Sequence, residues 1–271
     1  MTVRGLDISV IQGVVDFNAI AASGVQFIIA RCGVGNSSID VDYTTNVAKA
    51  TAAGLKVMAY HFVYPLPTTA AQPLRDPVKQ AQYHFNASLG QLACIDCEWP
   101  EPKDWHTWGC TSDQLNTWML TYLQEYESLS GRKPIIYTYP DWAANVGFRF
   151  QFAQYPLWIA SYQASPGVPS PWTTWVLWQN GQGHLPVSGV VVDTDFAPDL
   201  SLWNSLPIVV PVPVIPQPVP VIPQPIPVTP SPVVVAPVVV PAPPSVLDSA
   251  EVDGFLTKFF GAIMNFFKHT I

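Results

Sequence analysis

The chain has 271 residues, enough for one large domain or two smaller ones, and only 11% of them are charged. Acidic residues outnumber basic ones 19 to 12, for a net charge of −7 and no run of Lys or Arg, which excludes the phosphate-neutralising patch a nucleic-acid partner requires. The opening MTVRGLDISVIQG lacks the basic stretch and apolar core of a secretory signal, and no apolar run of about 20 residues offers a membrane-spanning helix.

Short apolar runs alternate with segments of helical periodicity. VRGLDISV precedes a predicted helix over Phe17–Ser23; VQFIIARC precedes one over Tyr43–Ala53; LKVMAYHFV precedes one over Pro77–Ser88; QLACIDCEW precedes one over Ser112–Ser130. The last of these helices opens on a cap at Thr111 or Ser112 and stops at Gly131. Apolar strands between helices read as buried parallel strands. After KPIIYTY the spacing changes, and YPLWIASY, TTWVLWQN and GVVVDTDF leave little room for helices between them. Five strand–helix units followed by three nearly bare strands predict an α/β fold: an irregular eight-stranded barrel over residues 1–206 with an incomplete helical jacket. The four cysteines, Cys32, Cys94, Cys97 and Cys110, lack paired metal-knuckle spacing and read as buried free thiols. A Cys97–Cys110 bridge is the alternative.

Residues 207–244 repeat VPVIPQP, VPVIPQP and IPVTPSP before VVVAPVVVPAPPS. Proline at this density removes backbone donors and fixes φ, predicting an extended polyproline II spacer with a reach on the order of 100 Å. Residues 245–271 form an amphipathic pattern: Phe255, Phe259, Ile263, Phe266 and Phe267 share one face, and Lys258, Asn265, Lys268 and His269 take the other. A helix of this kind suits membrane-surface contact through Phe255–Phe267, docking on the barrel, or pairing with its own copy.

In so sparsely charged a chain, the pair Asp96 and Glu98 in ACIDCEW stands out. Residues i and i+2 of a strand share a face, and this strand would be the fourth of a parallel barrel, with both acids at its carboxyl end, where such barrels place their sites. Asp7 closes the first strand and Asp193 the last, and those two strands are neighbours in a closed barrel. Converging carboxylates suit a hard-metal site or glycosidic hydrolysis, in which one acid stays protonated to donate to the leaving oxygen. The aromatics at strand ends, Tyr60, Tyr137 and Trp158, and the Trp178–Gln179 step, suit sugar stacking better than cation coordination. No metal and no cofactor is expected. A buried, mutually satisfied acid network without chemistry is the structural alternative.

Taken in order, GLDISVIQG, YHF, IDCEW, PLWIASY, WQN and VVVDTDF resemble glycoside hydrolase family 25, the muramidase-type lysozymes, over residues 3–203. The resemblance implies a (β/α)5(β)3 barrel that cleaves the β-1,4 bond between N-acetylmuramic acid and N-acetylglucosamine in bacterial peptidoglycan. It implies Glu98 as general acid and Asp96 as the carboxylate that orients or stabilises the substrate's acetamido group. Asp7 and Asp193 match the outer acids of the site, and Tyr60 and Tyr137 match positions lining the cleft. Two features depart from the family: Asp195 stands where Asn is usual, and PLPTTAAQPLRDP lengthens the loop after YHFVY. The expected setting is a phage endolysin held in the host cytoplasm until release. A non-catalytic cell-wall-binding or virion structural protein is the alternative.

Overall fold

A computed structural model of the chain describes residues 2–66, 73–98 and 110–204. The proline-rich segment 207–244, the tail 245–271 and residues 67–72 of the lengthened loop lie outside these residues. Nine strands alternate with helices: β1 Val3–Ile8, α1 Phe17–Ala22, β2 Phe27–Val34, β3 Ser38–Ile39, α2 Tyr43–Ala52, β4 Lys56–Phe62 and α3 Pro77–Ala87 come first. They are followed by β5 Leu92–Asp96, α4 Ser112–Ser130, β6 Ile135–Thr138, α5 Pro140–Val146, β7 Leu157–Ala160, β8 Leu177–His184, β9 Val191–Ala197 and α6 Ser201–Asn204. The sheet runs β1-β9-β8-β7-β6-β5-β4-β2 and closes through β1–β2, an eight-stranded barrel with the short β3 added to β2.

The local signals explain the element ends. Thr111 Oγ1 accepts from Gln114 N (3.2 Å) while Gln114 Oε1 accepts from Thr111 N (2.8 Å), so a reciprocal capping box starts α4. Gly131 ends it in the left-handed conformation at φ 68°. Asp76 caps α3 with Pro77 in the first turn. Strand alternation then sorts side chains to the two faces of the barrel wall. Phe27, Ile29, Met58, Leu92, Cys94, Ile135 and Leu177 fill the interior. Their neighbours Ile28, Ala30, Val57, Ala93, Ile95 and Ile136 pack outward against the helices.

One expectation is corrected. The barrel is parallel from β1 through β8, but β9 runs antiparallel to both β8 and β1. A parallel crossover needs a dozen or more residues; here only the six-residue turn between His184 and Val191 joins β8 to β9, which permits a hairpin alone. Asp193 therefore does not close its strand. It lies near the start of β9, and the reversed direction carries that start to the barrel end where the parallel strands finish.

The two ends of the barrel differ. At the end where the parallel strands begin, Phe27 fills the space beside Gly5, where an added Cβ would lie 2.0 Å from the Phe27 ring. Trp203 from α6 packs on Phe27 with ring centroids 4.9 Å apart, and its Nε1 donates to the Val57 carbonyl (3.1 Å). This end is stoppered by apolar groups. The other end carries the acids.

Candidate active site

The alternation of β5 sends Ala93, Ile95 and Cys97 outward into the layer under α4, so Cys94, Asp96 and Glu98 face the interior. The strand ends at Asp96, but Cys97 N still donates to the Tyr137 carbonyl of β6 (3.1 Å) and Val63 N to the Asp96 carbonyl (3.0 Å). These bonds hold Glu98 in the extended path, and both acids are only 4% exposed. Register places Asp7 of β1 directly opposite Asp193 of β9, and Gly5 opposite Asp195. The four acids expected to converge are thus carried to one end of the barrel.

Polar side chains link Asp7 to Asp193. Gln179 Nε2 donates to Asp7 Oδ2 (2.9 Å), and Gln179 Oε1 accepts from Tyr137 (3.1 Å) and Tyr162 (3.3 Å). Asp193 Oδ1 accepts from Tyr162 (3.2 Å) and Gln182 Nε2 (3.0 Å). One rung deeper, Trp158 Nε1 donates to Asp195 Oδ1 (2.8 Å), while the rings of Tyr60 and Tyr137 meet Trp158 edge-on at 6.3 and 4.5 Å. Tyr60 and Trp158 form a floor beneath the acids, and Tyr137 and Gln179 join the hydrogen-bonded set itself. Tyr162 and Gln182 also belong to it and were not anticipated; the sole hint was the Tyr that ends PLWIASY. Among the described residues, no three His, Cys, Asp or Glu side chains are arranged to hold a metal ion.

Burial and mutual repulsion raise the proton affinity of these acids. Loss of water, then the charges of Asp193 and Asp7, push Glu98 up to about 8. Burial and Asp193 push Asp7 up to about 8, opposed by its bond from Gln179. Burial, Glu98 and Asp7 drive Asp96 upward, and Arg31 opposes them. Asp193 is raised by burial, with the bonds from Gln182 and Tyr162 pulling the other way. Asp195 is raised strongly by burial and by its two acidic neighbours, so the Asp in place of the expected Asn is held uncharged rather than adding a charge. The ensemble offers a carboxylic acid protonated near neutral pH beside a second carboxyl, the pairing that acid-catalysed cleavage of a glycosidic bond requires. The four cysteines are buried free thiols.

Comparison with known proteins agrees with this chemistry. The model of glycosyl hydrolases family 25 matches residues 6–186. Lysozyme M1 of Streptomyces globisporus is 27% identical over 204 residues, which cover 71% of this chain and 66% of that protein. The N,O-diacetylmuramidase of Chalaropsis sp is 27% identical over 199 residues, covering 68% of this chain and 90% of that protein. The crystal structure of the bacterial lysozyme from Streptomyces coelicolor superposes with a TM-score of 0.66 at 27% identity, covering 74% of this chain and 97% of that one. The family match takes in Asp7, Asp96 and Glu98 and the strands from β2 through β8, with Asp193 just beyond it, and the chain belongs to glycosyl hydrolases family 25 as a glycoside hydrolase.

Proposed function

We propose that this chain is a muramidase of bacterial peptidoglycan, cleaving the β-1,4 bond between N-acetylmuramic acid and N-acetylglucosamine. Glu98 acts as general acid and Asp96 assists on the other side of the scissile bond. The observation that carries the reading is the burial of Glu98 beside Asp96 at the polar end of the barrel, where Asp7 and Asp193 help keep its proton in place at neutral pH. The names of the relatives, a lysozyme and an N,O-diacetylmuramidase, support the substrate.

In this mechanism Glu98 transfers its proton to the glycosidic oxygen as the C1–O bond breaks, and the departing sugar leaves as an alcohol. The carbonyl oxygen of the substrate's own acetamido group closes on C1, with Asp96 orienting the amide and balancing its developing charge. Water then opens the ring so formed, giving up a proton to Glu98, which returns to its starting state. Asp7 and Asp193 set the electrostatics and, through Gln179, Tyr137 and Tyr162, the shape of the pocket.

Digestion of purified peptidoglycan, followed by borohydride reduction and mass spectrometry, tests this directly. Reduced muramic acid at new ends is expected from the wild type, with Glu98→Gln slower by roughly 10³-fold. Reduced glucosamine would overturn the bond assignment, and equal rates for the two proteins would overturn the role of Glu98.

We infer that the biological setting is host lysis by a phage enzyme, with the Phe-rich segment 255–267 directing the barrel to a membrane surface. The composition of that segment supports the reading. Deletion of residues 245–271 is expected to abolish liposome binding and slow lysis from without; unchanged binding would remove the tail from the account.

A further inference from the structure

The lengthened loop after β4 sets a cation on the rim of the barrel's mouth that the mechanism has not used. β4 ends at Phe62, which pairs with Asp96 of β5, and Val63 N extends that ladder to the Asp96 carbonyl (3.0 Å). Two residues past this rung, on the two neighbouring paths, stand Tyr64 and Glu98. Val63 packs outward under the helices, so alternation turns Tyr64 to the mouth side, where its ring lies 6.5 Å from that of Phe62. α3 fixes Tyr64 there: Gln80 Oε1 accepts from Tyr64 N (3.0 Å), and Gln80 Nε2 donates to the Tyr64 carbonyl (2.8 Å). The returning end of the loop then lays Arg75 over this ring, its guanidinium carbon 4.4 Å from the centroid. The backbone of Arg75 is held as well, since its N donates to the Pro65 carbonyl (2.8 Å) and its carbonyl accepts from Trp118 Nε1. The head group is different. Among the described residues, no carboxylate or carbonyl takes a hydrogen bond from the Arg75 guanidinium. The adjacent Asp76 turns its carboxylate to the first turn of α3, accepting from Val78 N (2.9 Å) and Lys79 N (3.2 Å). Arg31 on β2, by contrast, is buried and committed to Asp40 at 3.0 Å.

We propose that Arg75, stacked on Tyr64, is a specificity-determining residue that takes a carboxylate on the muramic acid side of the substrate. The chemistry of the polymer supplies one. Muramic acid bears a lactyl group whose carboxyl is either free or extended by peptide, and the peptide has carboxylates of its own; a polymer of N-acetylglucosamine has none. A chain of net charge −7 repels such an anionic polymer, so a cation on the rim gives it a place to land next to the strand that carries Glu98. The stack on Tyr64 holds the planar guanidinium in one orientation while leaving its donors free, which suits a two-pronged grip on a carboxylate. Ordering the side chain before substrate arrives lowers the entropy lost on binding.

The inference rests on the muramidase reading, and steady-state kinetics on a set of soluble substrates tests it separately. The set is peptidoglycan fragments, the same fragments with their carboxylates amidated by carbodiimide and methylamine, and glycan strands stripped of peptide, which keep the lactyl carboxylate alone. Arg75→Gln is expected to raise KM on unmodified fragments roughly fivefold with kcat within about twofold, the size suited to a half-exposed charge pair. On amidated fragments the variant and the wild type should agree. A difference kept on stripped strands assigns the lactyl carboxylate as the partner, and one lost there assigns the peptide's. Arg75→Lys keeps the charge and should recover part of the KM. A merely structural Arg75 would lower kcat or the melting temperature and act alike on charged and amidated fragments, which would overturn the proposal. An unchanged KM on unmodified fragments would do the same. A wild type that releases no reduced muramic acid from peptidoglycan brings down the muramidase reading instead.

Discussion

Tyr60 and His61 are consecutive on β4, yet they face two buried polar clusters on opposite sides of the barrel wall. Inward lie the acids of the mouth. Outward, His61 stacks on His84 of α3 with ring centroids 4.9 Å apart. His61 Nε2 donates to the Gly35 carbonyl (2.8 Å), and His84 Nδ1 hydrogen-bonds the Tyr122 hydroxyl (2.8 Å). Both clusters escape the cost of buried charge by giving it up: the acids by holding protons, the imidazoles by losing them. Burial lowers His61 to about 4 against the opposing bond to the Gly35 carbonyl, and burial, then the charge of His61, lowers His84 well below its ordinary range. The lesson is that the two clusters respond to pH with opposite signs. Only the one in the mouth keeps its proton where a substrate can use it.

The largest expected effect comes from breaking the mouth. Glu98→Gln should lose roughly 10³-fold in rate and yet melt at a higher temperature at pH 7. Glu98 is raised to about 8 from an unfolded value of 4.5, so at neutral pH folding must take up a proton that the unfolded chain does not carry. Glutamine removes that cost, and the gain should fade as the pH falls through 4.5. A lowered melting temperature at pH 7, by calorimetry, would show that Glu98 is ionised in the folded protein.

The imidazole cluster should respond in reverse. His61 is neutral when folded and protonates near 6.5 when unfolded, so its contribution is complete above that value and is lost as the pH falls toward 4. The loss amounts to up to roughly 3 kcal/mol for such a shift. His84→Gln should flatten this acid branch of the stability curve measured by chemical denaturation. An equally steep branch in the variant would place the acid sensitivity elsewhere.

The smallest effect sharpens a contrast between the two ends of the barrel interior. At the stoppered end stability comes from fit, so Gly5→Ala, whose Cβ would press into the Phe27 ring, should cost about 1–3 kcal/mol with no change in pH dependence. Adding Phe27→Leu should restore part of the loss. Without such rescue, the clash is not the cause.

Much of this was legible in the sequence because the signals are local. Thr111, Gln114 and Gly131 delimit α4 through bonds within a few residues, and the period-2 pattern of LACID already puts Asp96 and Glu98 on one face. Sparse charge made those acids conspicuous. What stayed hidden depends on partners far apart in the chain. Gln179 reaches Asp7 across 172 residues and Tyr162 reaches Asp193 across 31, and no local pattern marks either pair. Arg31 reads in sequence as a stray charge in an apolar strand, and Trp203 as one of many tryptophans. Only closure of the barrel makes the first a cation among acids and the second a stopper. The sequence by itself therefore determined the main strands and the helices α1 to α4, the shared face of Asp96 and Glu98, and the family, since all three follow from spacing and residue type along the chain. The tertiary structure decided the antiparallel return of β9 and the protonation of the acids. Both depend on how closely distant strands approach and how completely they exclude water.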